Sequence, residues 1–158
     1  MLMPLFSGWT YQNEPINMII SKTESIDLVD ISGTGALYAF ALQLSVPTNV
    51  NVFGGTLYIY LDGQLFLEFP MVQNGFANAG PFWTYVNSSN TVLYVYYAPP
   101  QPNPFRQSLR LTFNTPTIPS GSSMTIVGNV SYVEIDPTQL SQSIGSALSN
   151  ILSNFRCS

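Results

Sequence analysis

The sequence predicts an all-β protein: a single jelly-roll-like β-sandwich of about eight strands, followed by a C-terminal amphipathic α-helix. Short runs rich in Val, Ile, Tyr and Phe recur between Gly, Pro and Asn turn signals, which is typical of a sandwich or barrel. The 158 residues suffice for one domain with a real core. Near the C-terminus the spacing of apolar residues becomes helical. We therefore assign residues 1–136 to the β-sandwich domain and 137–158 to the helix and its tail.

Alternating or apolar runs mark the predicted strands. They lie near 17–21, 26–31, 36–45, 56–61, 64–69, 82–86, 91–97, 108–114 and 123–135. In 36–45 the large apolar side chains share one face: Tyr38, Phe40, Leu42 and Leu44. Gly128 interrupts the last strand where the parity of the apolar positions changes, which predicts a β-bulge there.

The stretch LYIYLDGQLFLEF, residues 57–69, predicts a β-hairpin with Asp62-Gly63 as a type I′ turn. The register that pairs Tyr60 with Leu65 divides the side chains between two faces. One face carries Leu57, Ile59, Leu61 and Phe66; the other carries Tyr58, Tyr60, Leu65, Leu67 and Phe69. A sheet with one solvated face is apolar on the other face only. We therefore expect the second face to be covered in part by a neighbouring subunit or a long loop.

Two long segments separate predicted strands, residues 70–81 and 98–105. The second contains four prolines and is expected to be stiff and extended. Long loops in compact domains often contact partners, but a plain surface connection is an equal alternative here.

The stretch DPTQLSQSIGSALSNILSNF predicts a helix over roughly 137–155, with Asp136 as N-cap, Pro137 at the first position and Gln139 completing a capping box. Its apolar face comprises Leu140, Ile144, Leu148, Ile151, Leu152 and Phe155. Because an isolated helix of this length is marginal in water, we expect this face to dock on a neighbouring protein. The opposite face consists of Ser, Gln and Asn.

Charge is scarce, at 8% of residues, and the net charge is −4. The four basic residues are Lys22, Arg106, Arg110 and Arg156, too few for a phosphate-binding surface, so no nucleic-acid partner is predicted. The helix lacks the Lys and Arg that hold an amphipathic helix on an anionic membrane, which disfavours membrane contact. The apolar start MLMPLFSGW has no basic n-region and is not predicted to be a signal peptide.

Catalytic residues are not predicted. The chain has no histidine, and Cys157 is its single cysteine, so histidine-dependent triads and zinc sites are excluded and no cofactor is expected. Asp27 and Asp30 fall on opposite faces of their predicted strand. A calcium site using Glu24, Asp27 or Asp30 with loop carbonyls is a minor alternative to solvated carboxylates. Asn87 and Asn129 match the N-glycosylation pattern, a weak signal in a chain rich in Asn and Ser.

Aromatic residues are abundant: nine Tyr, ten Phe and two Trp. Tyr58 and Tyr60 on the hairpin, together with Leu65, Leu67 and Trp83, are predicted contact residues, because Tyr and Trp combine large area with a polar tip. Further candidates are Tyr94, Tyr96, Tyr97 and Phe82. The alternative is that many of these rings fill the sandwich core.

GALYAFALQLS followed by LYIYLDGQLFLEFP resembles the strand-then-hairpin pattern of viral jelly-roll structural proteins. The low charge, the absence of histidine and the wealth of Asn, Ser, Thr and Tyr are similar to virion proteins of icosahedral archaeal viruses from hot acidic springs, such as capsid, penton or turret proteins. The resemblance covers roughly residues 17–135 and transfers no catalytic residue.

The resemblance implies a non-enzymatic structural subunit located in the virion, in a capsid, vertex or appendage. Its partners would be further copies of itself and other virion proteins. The residues leave a second function open, a carbohydrate- or receptor-binding module that contacts a host glycan or receptor through exposed aromatic rings.

Overall fold

The computed structural model describes residues 8–71 and 81–156, which form ten strands and one α-helix. The strands are β1 (Trp9–Ile20), β2 (Ser25–Ser32), β3 (Gly35–Ser45), β4 (Thr56–Leu61), β5 (Gln64–Pro70), β6 (Phe82–Val86), β7 (Val92–Tyr97), β8 (Asn103–Phe105), β9 (Ser108–Asn114) and β10 (Met124–Ile135). A short 3-10 turn, Val52–Gly54, precedes β4, and the helix α1 spans Pro137–Arg156. The predicted all-β domain with a terminal helix is confirmed.

The strands form two antiparallel sheets that pack as a sandwich. Sheet A has the order β1-β10-β3-β7-β6, with β8 also pairing with β3, and sheet B has the order β2-β9-β4-β5. The chain changes sheet six times, from β1 to β2, β2 to β3, β3 to β4, β5 to β6, β8 to β9 and β9 to β10. This interleaving of two four-stranded sheets is jelly-roll topology, to which β6 and β8 are additions.

The strands differ from the prediction at two places, the start of β1 and the added strand β8. β1 begins at Trp9 rather than near residue 17, because the Asn-, Gln- and Pro-rich first half pairs with β10 along its full length. β8 lies within the proline-rich segment predicted as a loop, where Asn103–Phe105 pairs with Gly35–Leu37 and buries Phe105. Of the predicted loop 70–81, residues 72–80 lie outside the described part of the chain.

Aromatic rings join the two sheets at one end of the core. Phe69 of sheet B stacks on Phe82 of sheet A with ring centroids 4.2 Å apart, and Phe40 stacks on Tyr97 at 5.1 Å. The Tyr97 hydroxyl accepts a hydrogen bond from the Asn103 side chain, while burial raises the pKa of Tyr97. Phe82 and Tyr97 therefore belong to the core, as the core-filling alternative for the aromatics anticipated.

The β4–β5 hairpin has the predicted turn, with positive φ at Asp62 and Gly63, and the predicted Tyr60–Leu65 pair. A bulge at Phe66 then shifts the register, so that Ile59 faces Leu67 rather than Phe66. One inserted residue reverses the parity of everything beyond it.

The predicted division of the hairpin side chains is therefore wrong on three positions. Leu67 and Phe69 pack against the core, and Phe66 is exposed. The second face of the hairpin keeps Tyr58, Tyr60 and Leu65 and gains Glu68, which is far less apolar than the predicted face.

A second register shift corrects the prediction for β3 and β10. It falls where β10 passes from Ser131 to Tyr132 and leaves Tyr38 of β3 as the extra residue, exposed rather than in the core with Phe40. Gly128, the predicted bulge, pairs regularly with Ile16 on β1. A Cβ atom there would collide with the Ala41 carbonyl oxygen of β3, so glycine permits a close approach between strands rather than a bulge.

We expect Gly128→Ala to destabilise the fold by about 1–3 kcal/mol, because the added methyl forces β3 and β10 apart at the centre of sheet A. Chemical denaturation would measure the free energy of unfolding. Gly145→Ala is the matched control: its Cβ meets open space on α1, and alanine raises helix propensity by up to about 1 kcal/mol. Equal effects of the two substitutions would contradict this account of Gly128.

Asp62 holds the hairpin turn against the β8–β9 connection. One carboxylate oxygen accepts hydrogen bonds from the backbone N–H groups of Arg106 (2.8 Å), Gln107 (2.7 Å) and Ser108 (3.2 Å). The bond from Gln107 foremost, together with those from Arg106 and Ser108, lowers the pKa of Asp62, against an opposing effect of desolvation. Because they favour the charged carboxylate, they stabilise the folded state only while Asp62 is ionised.

Asp62→Asn should lower the melting temperature at neutral pH, since a carboxylate accepts these bonds more strongly than an amide. With the folded pKa below the unfolded value of about 3.9, the contribution of Asp62 is complete above that value and is lost as the pH falls through the folded pKa. The gap between the two melting temperatures should therefore shrink as the pH falls below the unfolded pKa and through the lower folded pKa. Glu68→Gln on the same hairpin serves as control, and a gap that stays constant with pH would refute the assignment.

Candidate interaction surface

The outer face of sheet A carries no charged side chain at its described strand positions. Its outward positions are held by aromatic, aliphatic, Ala, Ser, Thr, Asn, Gln and Pro residues. The two charged residues in its strands, Glu14 and Glu134, take the opposite parity: Glu14 faces the buried Val130 in the ladder. A face of this size without charge is unusual for a solvated surface.

Four aromatic side chains form a patch at the β6–β7 end of this face. Trp83 lies opposite Tyr96, and Tyr85 lies opposite Tyr94, with the Tyr85 and Tyr94 ring centroids 6.0 Å apart. All four are 45–59% exposed. We call this group the aromatic patch. Cross-strand aromatic pairs stabilise a hairpin modestly, but exposed area on this scale marks a binding surface more than a structural one.

A groove of about 500 Å³ runs beside the aromatic patch, at the centre of the outer face. Tyr94 and Tyr96 of β7 stand on one side and Val127 and Gly128 of β10 on the other, and the small residue Ala41 of β3 lies between them. Gln43 and Asn129 add amide groups at its rim. The groove is therefore mostly apolar, open and accessible from the solvent.

The outer face of sheet B differs, because it carries charge. Arg110 lies over the Tyr60 ring, with its guanidinium carbon 4.6 Å from the centroid, and Tyr60 in turn stacks with Tyr58 at 6.4 Å. The predicted contact residues Tyr58, Tyr60 and Leu65 are on this face, whereas Leu67 faces the core. Tyr60 is thus engaged by a cation of its own chain.

Asp27 and Asp30 also lie on the outer face of sheet B, opposite Thr112 and Arg110. The prediction that they occupy opposite faces is wrong, because a bulge between Asp27 and Val29 reverses the parity of β2. Asp27 accepts a hydrogen bond from the Thr112 hydroxyl at 2.6 Å.

The helix starts as predicted, with Asp136 as its N-cap. Its carboxylate accepts hydrogen bonds from the N–H groups of Thr138 (2.8 Å) and Gln139 (3.4 Å), and the Asp136 N–H donates to the Gly8 carbonyl. Four predicted contact residues, Ile144, Leu148, Ile151 and Leu152, are 45–63% exposed. The side chains of the other two, Leu140 and Phe155, lie outside the described part. The sandwich of the same chain therefore leaves the described stripe uncovered.

The described residues show little that indicates a metal site or a membrane-spanning segment. Within residues 8–71 and 81–156, no three Cys, Asp or Glu side chains come together as metal ligands, and Glu24, of the minor calcium alternative, pairs with Lys22 at 3.3 Å. Among the described residues, no helix combines the length and the apolar composition needed to cross a membrane. The Asn87 side chain closes the β6–β7 turn through Thr91 and Val92, whereas Asn129 is exposed on sheet A.

Comparisons with known proteins find no sequence match and a distant structural likeness. No protein-family model and no curated protein sequence matches the chain. A solved structure of the infectious bursal disease virus Gx strain is similar over 85% of this chain and 42% of the other, with a TM-score of 0.24 and 14% sequence identity. This chain thus spans less than half of that one. A likeness this distant carries no argument about fold or function.

Part of the outer face of sheet A was not predicted from the sequence. Trp9 and Tyr11 of β1 are exposed on the same face as Trp83, but the first half of β1 is not among the predicted strands. Their spacing of two residues is the signal that identifies them, as it does for Trp83 and Tyr85.

Trp83→Ala combined with Tyr96→Ala should cost less than about 1 kcal/mol of unfolding free energy, because both side chains project from the outer face. Phe82→Ala, the neighbouring position on the opposite face, should cost about 3–5 kcal/mol. Urea titration at low protein concentration measures both. If the double variant proved as destabilising as Phe82→Ala, the aromatic patch would belong to the core and not to a binding surface.

Proposed function

We propose that this protein is a non-enzymatic virion structural subunit, a jelly roll that oligomerises in a viral capsid, vertex or appendage. One observation carries the proposal: two uncharged surfaces with large exposed apolar side chains, the aromatic patch with its groove on sheet A and the helix stripe, are exposed in the single chain. Monomeric soluble proteins rarely expose contiguous apolar patches beyond a few hundred Å². Oligomeric assembly would cover them.

The assignment to a virion rests on the resemblance to viral jelly-roll proteins. The jelly-roll topology and the low content of ionisable groups support it. With no histidine and eight acidic residues, few protonation events can destabilise the folded state in acid, which suits an acidic and thermophilic habitat of an archaeal virus. In this function the partners are further copies of the chain and other virion proteins, and the location is the extracellular particle.

A specific observation favours a second function, a carbohydrate- or receptor-binding module. The groove places two tyrosine rings next to the amides of Gln43 and Asn129. Exposed rings beside amide hydrogen-bonding groups suit the apolar face and the hydroxyls of a sugar. This function accounts for the aromatic patch but leaves the helix stripe uncovered.

Deleting residues 137–158 should leave the β-sandwich folded and prevent assembly, because α1 begins after the jelly roll is complete. Circular dichroism would follow the fold, and light scattering the mass of the full chain and of residues 1–136. A truncated chain that fails to fold would assign the helix to the intramolecular core. A full-length chain that stays monomeric and binds glycans on an array, with binding lost in Trp83→Ala, would favour the second function.

A further inference from the structure

We propose that two copies of this chain exchange their C-terminal helices, each α1 lying with its apolar stripe in the sheet A groove of the other copy. The inference rests on the proposed function and specifies the first contact of the assembly. It names one occupant for both exposed surfaces: the helix of a second copy for the groove, and the groove of a second copy for the helix stripe.

The junction between β10 and α1 prevents a helix from covering its own sheet. Asp136 alone separates the strand end Ile135 from the first helical residue Pro137. Returning a helix over the face of the sheet it leaves requires a loop of about 2–6 residues. The first turn is held in place as well, because the Asp136 N–H bonds to the Gly8 carbonyl and the Gln139 side chain lies against Gly8. The four described stripe residues accordingly stay 45–63% exposed and do not cover their own groove.

The helix and the face match in size and chemistry. A helix of 20 residues is about 30 Å long, and five strands span about 19 Å, so α1 can cross the whole outer face. Neither surface carries charge at its described positions, so contact buries no unpaired ion. The small residue Ala41, which pairs with Tyr96 and Asn129 on the outer face, leaves room in the groove for the branched side chains of the stripe.

The area favours reciprocal exchange over a single contact. Each of the four rings of the aromatic patch has a surface of about 200 Å², of which about half is exposed. Together they offer about 400 Å² to a partner. The four described aliphatic side chains of the helix stripe have about 100 Å² each, again about half exposed. They add about 200 Å² of contact area. One helix in one groove therefore buries about 600 Å², too little for a specific interface, whereas two such contacts in a symmetric dimer reach the lower bound of about 1,200 Å². A head-to-tail ring leaves only one contact at each interface.

Engineered cysteines test the exchange directly. In a chain with Cys157→Ser, one variant carries Val127→Cys at the wall of the groove and another carries Leu148→Cys in the middle of the stripe. Mixed and mildly oxidised, the two variants should form the mixed disulfide, since docking brings these positions within disulfide reach. Tyr58→Cys on sheet B replaces Val127→Cys in the matched control and should form no such link. Circular dichroism checks that each variant is folded.

Light scattering complements the cross-link, with an expected mass twice the 17.4 kDa of the chain. Leu148→Ser with Ile151→Ser should weaken self-association at least about tenfold, while Gln142→Ser with Ser146→Asn on the polar face should leave it unchanged. A predominant Leu148→Cys homodimer would show helices pairing with each other and overturn the exchange. An oligomer without the mixed disulfide would overturn the exchange alone, whereas a full-length monomer at all concentrations would overturn the proposed function too.

Discussion

The pairing of β10 with β1 on one side and β3 on the other organises the whole molecule. The twelve residues of β10 lie at the interior of sheet A, so both of its ladders set which neighbouring side chains face the core and which face outward. Gly128 allows a close approach between β10 and β3 in that pairing. The same strand ends at the helix cap, so the position of α1 also derives from it. The two exposed surfaces are thus built on one strand.

The core divides the aromatic residues into two populations with different roles. On β6 and β7 the rings alternate, with Phe82 and Tyr97 packed between the sheets and the aromatic patch on the other side of the same backbone. The inner rings supply the burial that a charge-poor domain needs in place of disulfides or ion pairs. Because the inner rings already fill the core, the outer rings are not needed to close the sandwich. They are therefore available to contact a partner.

Much of the architecture was predictable from pattern, and the errors have a common cause. Turn chemistry at Asp62-Gly63 and the cap at Asp136 are local, so both were predicted correctly. Side-chain parity is also local until a bulge intervenes, and a bulge depends on a neighbouring strand that the pattern alone does not identify. The insertions at Phe66 and Tyr38 each moved side chains to the other face. Alternation on β1 was hidden among polar residues, which concealed part of the candidate surface. Contacts of the helix stripe depend on a partner's surface, which the pattern of one sequence does not contain.

The lack of charge on the two exposed surfaces has a thermal consequence. Contacts between uncharged apolar surfaces gain little from Coulomb attraction, so added salt does not screen them. Their strength derives from water released on burial, with a large heat-capacity change, and it declines as the temperature falls. An assembly held by these surfaces would therefore loosen in the cold and tighten as it warms toward a hot environment, the reverse of one held by ion pairs alone.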